Sequence, residues 1–442
     1  MAENKKISCF NIEFINSIKH KAIDLINRNK FDEIKEILDF LLDIDYVQLF
    51  KMDPLVSKKI IDIATLLIKT KNYEKVEQIF VKYINVMQKQ NNMNIVDFIE
   101  PLNNLAILYQ EKKDISKRDE ILFLIVQIAN NITDHINSLE VITIFMRLGS
   151  FFQESGHLKA VEILYKQIYR FSLEIVNLSN NIPLKLHLIL LKIFPDFLKI
   201  TNNSTKALNT YEFILSHLKK SNGKEYLILS ILNEIGSLAS NIGNISKAEK
   251  ALTEGLTIFE KSNLSEEEKF VVIAINHNLA VLYLKNNIHE KYNYAETLLK
   301  HSLNILENAS MQNSCEYAGE MGLLAEIAEI KMNYEKAELL YNKTINILEK
   351  HFNITDYKFY KYLNQLGLLY LNMDRALDAV KIFKKIFNLY DSFSEKESLE
   401  LANAKSHLAL AYFKLDDFDN AISLYTQSIK IRMNEKKLVK TK

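Results

Sequence analysis

The chain has 442 residues, of which 48% are hydrophobic, and it contains only 9 glycines and 4 prolines. The high hydrophobic content argues against a disordered chain. Sheet-based folds need glycine and proline at their many turns, so the small number of both favours long helices with short connections. The formal charge is +1, from 56 Lys and Arg against 55 Asp and Glu. A nucleic-acid partner is not expected, because neutralising phosphates needs a basic excess.

Cysteine use and hydropathy indicate a cytoplasmic protein that does not insert into a membrane. Cys9 and Cys315 lie far apart and form no CxxC unit, which is typical of a reducing compartment. The amino terminus lacks the apolar core of a secretory signal. Of the two most apolar stretches, residues 121–128 are too short to span a bilayer and residues 184–200 contain charged side chains.

One pattern recurs in chain order. A Leu-Gly or Leu-Ala pair is followed by an aromatic or apolar residue and a loop, and then by a small residue with an aromatic residue four positions later. The last four small residues are spaced by 42, and upstream units keep a similar spacing. Ten units are indicated, with the marker position of each at Ile34, Val76, Arg118, Val161, Ala207, Ala248, Ala295, Ala337, Ala379 and Ala421.

This spacing predicts an all-α fold, a right-handed α-solenoid of about ten helical hairpins. In each unit the Leu-Gly or Leu-Ala pair lies on the first helix and the marker residue on the second. A lone hairpin cannot bury its apolar face, so it must stack on the next one.

At these residues the sequence resembles tetratricopeptide-repeat (TPR) proteins, and the 42-residue spacing resembles their kinesin-light-chain subtype. Leu102–Tyr109 and Asn276–Tyr283 are similar to the first-helix signature of that subtype, and Ala337-Glu338 is similar to its second helix. The resemblance is strongest over residues 230–431 and 100–110. Kinesin light chains bind the motor through an amino-terminal heptad segment, and residues 1–20 are too short for one, so motor attachment is not expected.

The predicted organisation has five parts. They are an amino-terminal segment (1–20), a partly degenerate array (21–182), an irregular or hinge region (183–205), a second array (206–433) and a basic tail (434–442). The hinge is predicted because Pro195 falls inside an expected helix and Pro183 at a helix start. A tolerated kink in a continuous solenoid is the alternative.

The resemblance also implies a binding groove on the first helices. In that family, asparagines beside the Leu-Ala pair hydrogen-bond the backbone of an extended peptide, since an amide both donates and accepts. The matching positions here are Asn103, Asn104, Asn233, His277, Asn278, Asn364 and Gln365. The alternative is that these asparagines only cap or solvate helices. A Lys and Arg clamp for a terminal carboxylate has no match on the first helices.

No catalytic, cofactor or metal site is predicted. The ten histidines form no HExxH or His-x3-His pair, and no nucleophile, base and orienting group can be assembled. The sequence therefore predicts a non-enzymatic scaffold or adaptor that holds a partner peptide or protein in the groove. The alternatives are a regulator that responds to a peptide or protein effector, and a stoichiometric structural subunit of a large transport or assembly complex.

Overall fold

The computed structural model describes residues 12–52, 54–89, 95–130, 139–178, 184–220, 224–351, 357–391 and 399–440. Regular structure in these ranges is helical throughout. The helices are α1 (Ile12–Asn27), α2 (Phe31–Leu42), α3 (Tyr46–Met52), α4 (Pro54–Leu67), α5 (Tyr73–Gln88), α6 (Ile95–Glu111), α7 (Ile115–Asn130), α8 (Leu139–Glu154), α9 (Leu158–Leu178), α10 (Leu184–Ile200), α11 (Ser204–Leu218), α12 (Glu225–Asn241), α13 (Ile245–Lys261), α14 (Phe270–Lys285), α15 (Tyr292–Asn308), α16 (Cys315–Ile330), α17 (Tyr334–His351), α18 (Tyr357–Asn372), α19 (Ala376–Asp391), α20 (Leu399–Phe413) and α21 (Phe418–Lys440).

Successive helices pair into hairpins, beginning with α1 and α2 and ending with α20 and α21. Within the described ranges there are ten hairpins, and the short helix α3 stands between the first and the second. The prediction of an all-α solenoid of about ten hairpins is confirmed. The chain divides into two compact units, residues 1–210 and 211–442, with the boundary inside α11.

The same turn closes every hairpin in the described ranges. Its marker is a residue with positive φ, two positions before the helical segment that follows the turn, and the ten residues are Asn29, Lys71, Lys113, Gly156, Asn202, Gly243, Asn287, Met332, Asp374 and Asp416. Only two of them are glycines. The left-handed conformation ends the first helix and lets the chain reverse. An asparagine or aspartate beside it often caps the second helix, as when Asn244 accepts a hydrogen bond from the Lys247 amide at 3.1 Å.

The Leu-Gly pairs of the sequence pattern mark a close contact between the two helices of a hairpin. The glycine of the first helix faces a side chain 16 residues later on the second: a Cβ built on Gly149 would lie 2.1 Å from the Tyr165 ring, and one on Gly367 would lie 2.6 Å from the Phe383 ring. These distances leave no room for a methyl group. The glycine is therefore required by the aromatic ring that fills the space above it.

A tyrosine on a first helix also binds a glutamate on the preceding second helix. Tyr283 donates its hydroxyl to Glu249 at 2.9 Å, and Tyr370 donates to Glu338 at 3.0 Å. A basic side chain completes the second contact, since Arg375 pairs with Glu338 at 2.8 Å and lies over the Tyr370 ring. These polar contacts join neighbouring hairpins at the rim of the apolar core.

The region predicted to be irregular contains a continuous helix. Pro195 is buried within α10, which runs from Leu184 to Ile200. A hinge at residues 183–205 stays a prediction. At the ends of the chain, α1 begins at Ile12 inside the predicted amino-terminal segment, and α21 extends through residue 440 into the predicted basic tail. The side chains of residues 434–442 lie outside the described part.

Candidate functional site

The first helices of residues 211–442 form one continuous face, which we call the first-helix face: α12, α14, α16, α18 and α20. Side-chain hydrogen bonds connect each of these helices to the next, at spacings close to one repeat. They lie between α12 and α14, between α14 and α16, between α16 and α18, and between α18 and α20. Stacked hairpins thus place equivalent residues of successive units side by side.

Two of the predicted groove asparagines contact each other directly. The Asn278 side chain on α14 donates through Nδ2 to Oδ1 of Asn233 on α12, at 2.8 Å. Both side chains are half-buried. Among the described residues, no further hydrogen bond is made by Asn278 Oδ1 or Asn233 Nδ2. The pair therefore presents one acceptor and one donor on the first-helix face.

Asn364 on α18 occupies the place equivalent to that of Asn233, three hairpins later. Its Oδ1 lies 2.8 Å from Nδ1 of His407, on the next first helix, α20. Burial lowers the pKa of His407, and Arg432 lowers it further by charge repulsion. A neutral His407 ring with its proton on Nδ1 donates to Asn364. Gln365, beside Asn364, is half-buried and makes no side-chain hydrogen bond within the described ranges.

His277 reaches the buried carboxylate of Glu320. Its Nδ1 lies 2.9 Å from Glu320 Oε1, where the His277 side chain is 39% exposed and that of Glu320 only 3%. Burial raises the pKa of Glu320, while the hydrogen bond and charge of His277 act in the opposite direction. The second oxygen, Oε2, has no hydrogen-bond partner among the described residues. His277 therefore covers a carboxyl group on the floor of the face.

Other polar residues nearby support the face from within. Asn276 is fully buried and donates to Ser302 on α15 at 3.0 Å. Lys361 on α18 pairs with Glu326 on α16 at 2.6 Å. Asn276 is thus a core residue, although it precedes His277 and Asn278 in sequence, and it takes no part in the exposed surface.

The two remaining predicted residues belong to the other unit. Asn103 and Asn104 lie on α6, are half-buried and make no side-chain hydrogen bond within the described part of the chain. The structure therefore brings five predicted residues onto one face and leaves two on the array of residues 1–210. In that array, a cleft of about 350 Å³ lies between α8, α9 and α10. Most of its lining side chains are apolar, among them Ile189 and Ile200, and Gln153, Lys192 and Asp196 also line it.

Sequence reasoning missed Glu320 and His407 as members of the face. Both lie 43 residues after a predicted residue, Glu320 after His277 and His407 after Asn364. That distance is close to the repeat length. Searching one residue beyond the 42-residue spacing from His277 and from Asn364 would have found them.

In the ranges that the structure covers, no three His, Cys, Asp or Glu side chains converge in a way that would hold a metal ion. No described helix is both long and apolar enough to cross a membrane.

The comparison with protein families finds the same repeat. Residues 360–434 match the sequence model of the tetratricopeptide repeat. The matched segment covers the last two hairpins, so the tetratricopeptide assignment made from the sequence pattern is confirmed there. The sequence has no significant match among curated proteins.

Solved structures of helical-repeat proteins are similar to this chain at low identity. BtubC (BKLC) from P. vanneervenii has 16% identity and a TM-score of 0.45, and the match covers 53% of this chain and 90% of that protein. Nearly identical TPR-like repeats from Podosopora anserina, named for kinesin light chain, have 18% identity and a TM-score of 0.42 over 47% and 96%. The apo form of the quorum sensor NprR from B. thuringiensis has 15% identity and a TM-score of 0.43 over 95% and 99%.

Proposed function

We propose that the chain is a non-enzymatic, cytoplasmic scaffold or adaptor that binds an extended segment of a partner protein on the first-helix face of residues 211–442. The observation that carries the proposal is the pair of asparagines on neighbouring first helices, Asn233 and Asn278. Their hydrogen bond leaves the Asn278 oxygen as an acceptor and the Asn233 amide nitrogen as a donor, without partners among the described residues. A peptide backbone offers the complementary carbonyl and amide.

The hydrogen bond between the two asparagines favours this role energetically. A flexible amide loses rotamer entropy when it binds a ligand. The contact between Asn278 and Asn233 fixes both side chains before a ligand binds, so binding costs less rotamer entropy. Asn364 is held in the same way by His407. Three amides with fixed orientations along one face suit the regular backbone of an extended peptide.

The half-buried apolar side chains of the first helices would supply selectivity. Val281 on α14, Leu368 on α18 and Leu410 on α20 are each half-buried among the polar residues of the face. In recognition of extended segments, main-chain hydrogen bonds give affinity, and contacts of alternate side chains give selectivity. A partner segment with apolar residues between polar ones fits this surface.

The test begins with peptides selected from a display library on the purified chain. Their affinities are measured by fluorescence anisotropy for the wild type, for an Asn233→Ala, Asn278→Ala, Asn364→Ala triple variant and for Asn304→Ala. Asn304 is an exposed asparagine on the second helix α15, so it serves as the matched control. The triple variant should bind at least about tenfold more weakly, which corresponds to roughly 1.4 kcal/mol.

The control variant should bind as the wild type does. Circular dichroism establishes that both variants remain folded. Equal affinities for the wild type and the folded triple variant would refute binding on this face. They would instead favour the alternative of a structural subunit that assembles through another surface.

A further inference from the structure

The last described helix, α21, is apolar on two faces. One face packs on α20, where Ala421, Ser428 and Ile431 are at most 2% exposed and Ser428 donates to the Ala402 carbonyl at 2.7 Å. The other face carries a stripe of five large apolar side chains that are between 36% and 65% exposed: Phe418, Ile422, Tyr425, Ile429 and Met433. A helix whose outer face met only water would be polar there.

The stripe corresponds to the surface through which other hairpins stack. One repeat earlier, 42 residues upstream, Val380 and Phe383 on α19 are 9% and 0% exposed. Phe383 is covered by the next hairpin, since its ring lies 5.5 Å from the His407 ring on α20. Tyr425 is the equivalent of Phe383 and is 36% exposed. The outer face of α21 is thus a stacking surface that remains exposed.

The spacing of the stripe suits a second helix lying along α21. Its first four members are separated by 4, 3 and 4 residues, which is the alternation of the core positions in a coiled coil. With Tyr425 at the centre, an antiparallel copy of the helix would place the partner's Ile429 against Ile422. It would likewise place the partner's Met433 against Phe418.

The charges on α21 determine the direction of pairing. Asp416, Asp417 and Asp419 lie at its amino-terminal end. Lys430 and Arg432 lie towards the other end, where the sequence continues with Lys436, Lys437 and Lys440 against one acidic residue, Glu435. Two parallel copies would bring like charges together at both ends. Two antiparallel copies bring the acidic end of each onto the basic end of the other, which is favourable at both ends.

From the stripe and this charge polarity, we infer that a second copy of the chain covers α21, forming a twofold-symmetric dimer through antiparallel α21 helices. The same patch serves both copies, so the contact closes on itself and does not propagate into a fibre. The dimer carries two first-helix faces. This surface is separate from the proposed peptide site, and either proposal can fail without the other.

The first test is the mass of the full chain in solution, by light scattering after size exclusion across a concentration series. The wild type should have twice the 51.4 kDa mass of one chain. An Ile422→Glu, Ile429→Glu variant should weaken the dimer at least about a hundredfold, because it buries unpaired charges in the contact. Leu377→Glu is the control, since Leu377 is 66% exposed on α19 outside the stripe. It should remain dimeric.

A wild type that is monomeric throughout the series would overturn the proposal. So would a mass that keeps growing with concentration, which indicates open head-to-tail stacking, or a stripe variant that is folded by circular dichroism and still dimeric. Dissociation of the folded control variant would also overturn it, because the contact would then lie elsewhere.

Cysteine cross-linking tests the antiparallel register. In a Cys9→Ser, Cys315→Ser chain, Tyr425→Cys should form a disulfide-linked dimer under mild oxidation, because two copies of residue 425 meet at the twofold axis. Ile422→Cys alone should not link, but Ile422→Cys together with Ile429→Cys should. Efficient linking by Ile422→Cys alone would show a parallel pair and refute the antiparallel one.

Discussion

Asn278 on α14 donates its side-chain amide to the side-chain oxygen of Asn233 on α12, at 2.8 Å, although the two residues are 45 apart in sequence. This one contact joins two hairpins and orients two amides on the proposed binding face. Stability and binding are therefore linked at these positions.

Replacing either asparagine should lower the free energy of unfolding. We expect Asn278→Ala and Asn233→Ala each to cost about 1 kcal/mol, since each leaves a half-buried amide without its partner. The double variant should cost less than the sum, because the second substitution removes a group that has already lost its bond. Urea unfolding of the four proteins measures this coupling. Fully additive losses would mean that the hydrogen bond contributes nothing to stability.

The Glu320 carboxyl group predicts a dependence of stability on pH. Burial raises its pKa in the folded chain above the ordinary value of 4.5, despite the hydrogen bond from His277. The folded state then holds the proton more tightly than the unfolded state does. Glu320 therefore stabilises the folded state, relative to high pH, while pH is below 4.5. This stabilisation is lost as pH rises through the raised pKa.

Glu320→Gln should remove that dependence and keep the shape of the side chain. At neutral pH the variant should be as stable as the wild type or more stable, with a flatter profile above pH 4.5. Urea unfolding over a pH series gives the comparison. A variant that is markedly less stable at neutral pH would show that the ionised carboxylate stabilises the fold.

Glu296 on α15 should show the opposite sign. Its carboxylate accepts hydrogen bonds from Lys331 at 2.6 Å and from Lys336 at 2.9 Å, and these contacts lower its pKa to about 2. The stabilisation is therefore present above pH 4.5 and is lost as pH falls towards 2.

We expect Glu296→Gln to lower the free energy of unfolding at neutral pH by about 1 kcal/mol, because the lysines are partly exposed and solvent screens their charges. The difference from the wild type should shrink as pH falls to the pKa of about 2. Thermal unfolding in low salt at several pH values tests this. A deficit of equal size at every pH would point to lost packing and not to charge.

Much of the fold could be predicted because it repeats. The Leu-Gly pairs and the small residues 42 apart reflect contacts that every hairpin must make, such as Gly367 beneath the Phe383 ring. Helix α3 escaped prediction because it occurs once, with no second copy to reveal it. Periodicity identifies what is shared between units and is silent about single additions.

The candidate site could be predicted only in part, for a related reason. Asparagines beside the Leu-Ala pair carry a local signal, whereas the partners of His277 and Asn364 lie a full repeat away. Glu320 looks like an ordinary charged helical residue in the sequence. Only the stacking of hairpins brings it under His277 and buries it. Contacts between repeats depend on register, which a single sequence reveals less directly than helix periodicity.

Two glycines three residues apart on α16 should respond oppositely to the same substitution. A Cβ on Gly322 would lie 2.2 Å from the buried Tyr362 ring of the next hairpin, whereas one on Gly319 would meet nothing closer than the His277 ring at 4.0 Å. Gly322→Ala should therefore lower the free energy of unfolding by about 1–3 kcal/mol through overpacking. Gly319→Ala should raise it by up to about 1 kcal/mol, because alanine favours the helix. Urea unfolding of both variants measures the contrast, and equal effects of the two substitutions would show that the Tyr362 contact does not limit the stacking of these hairpins.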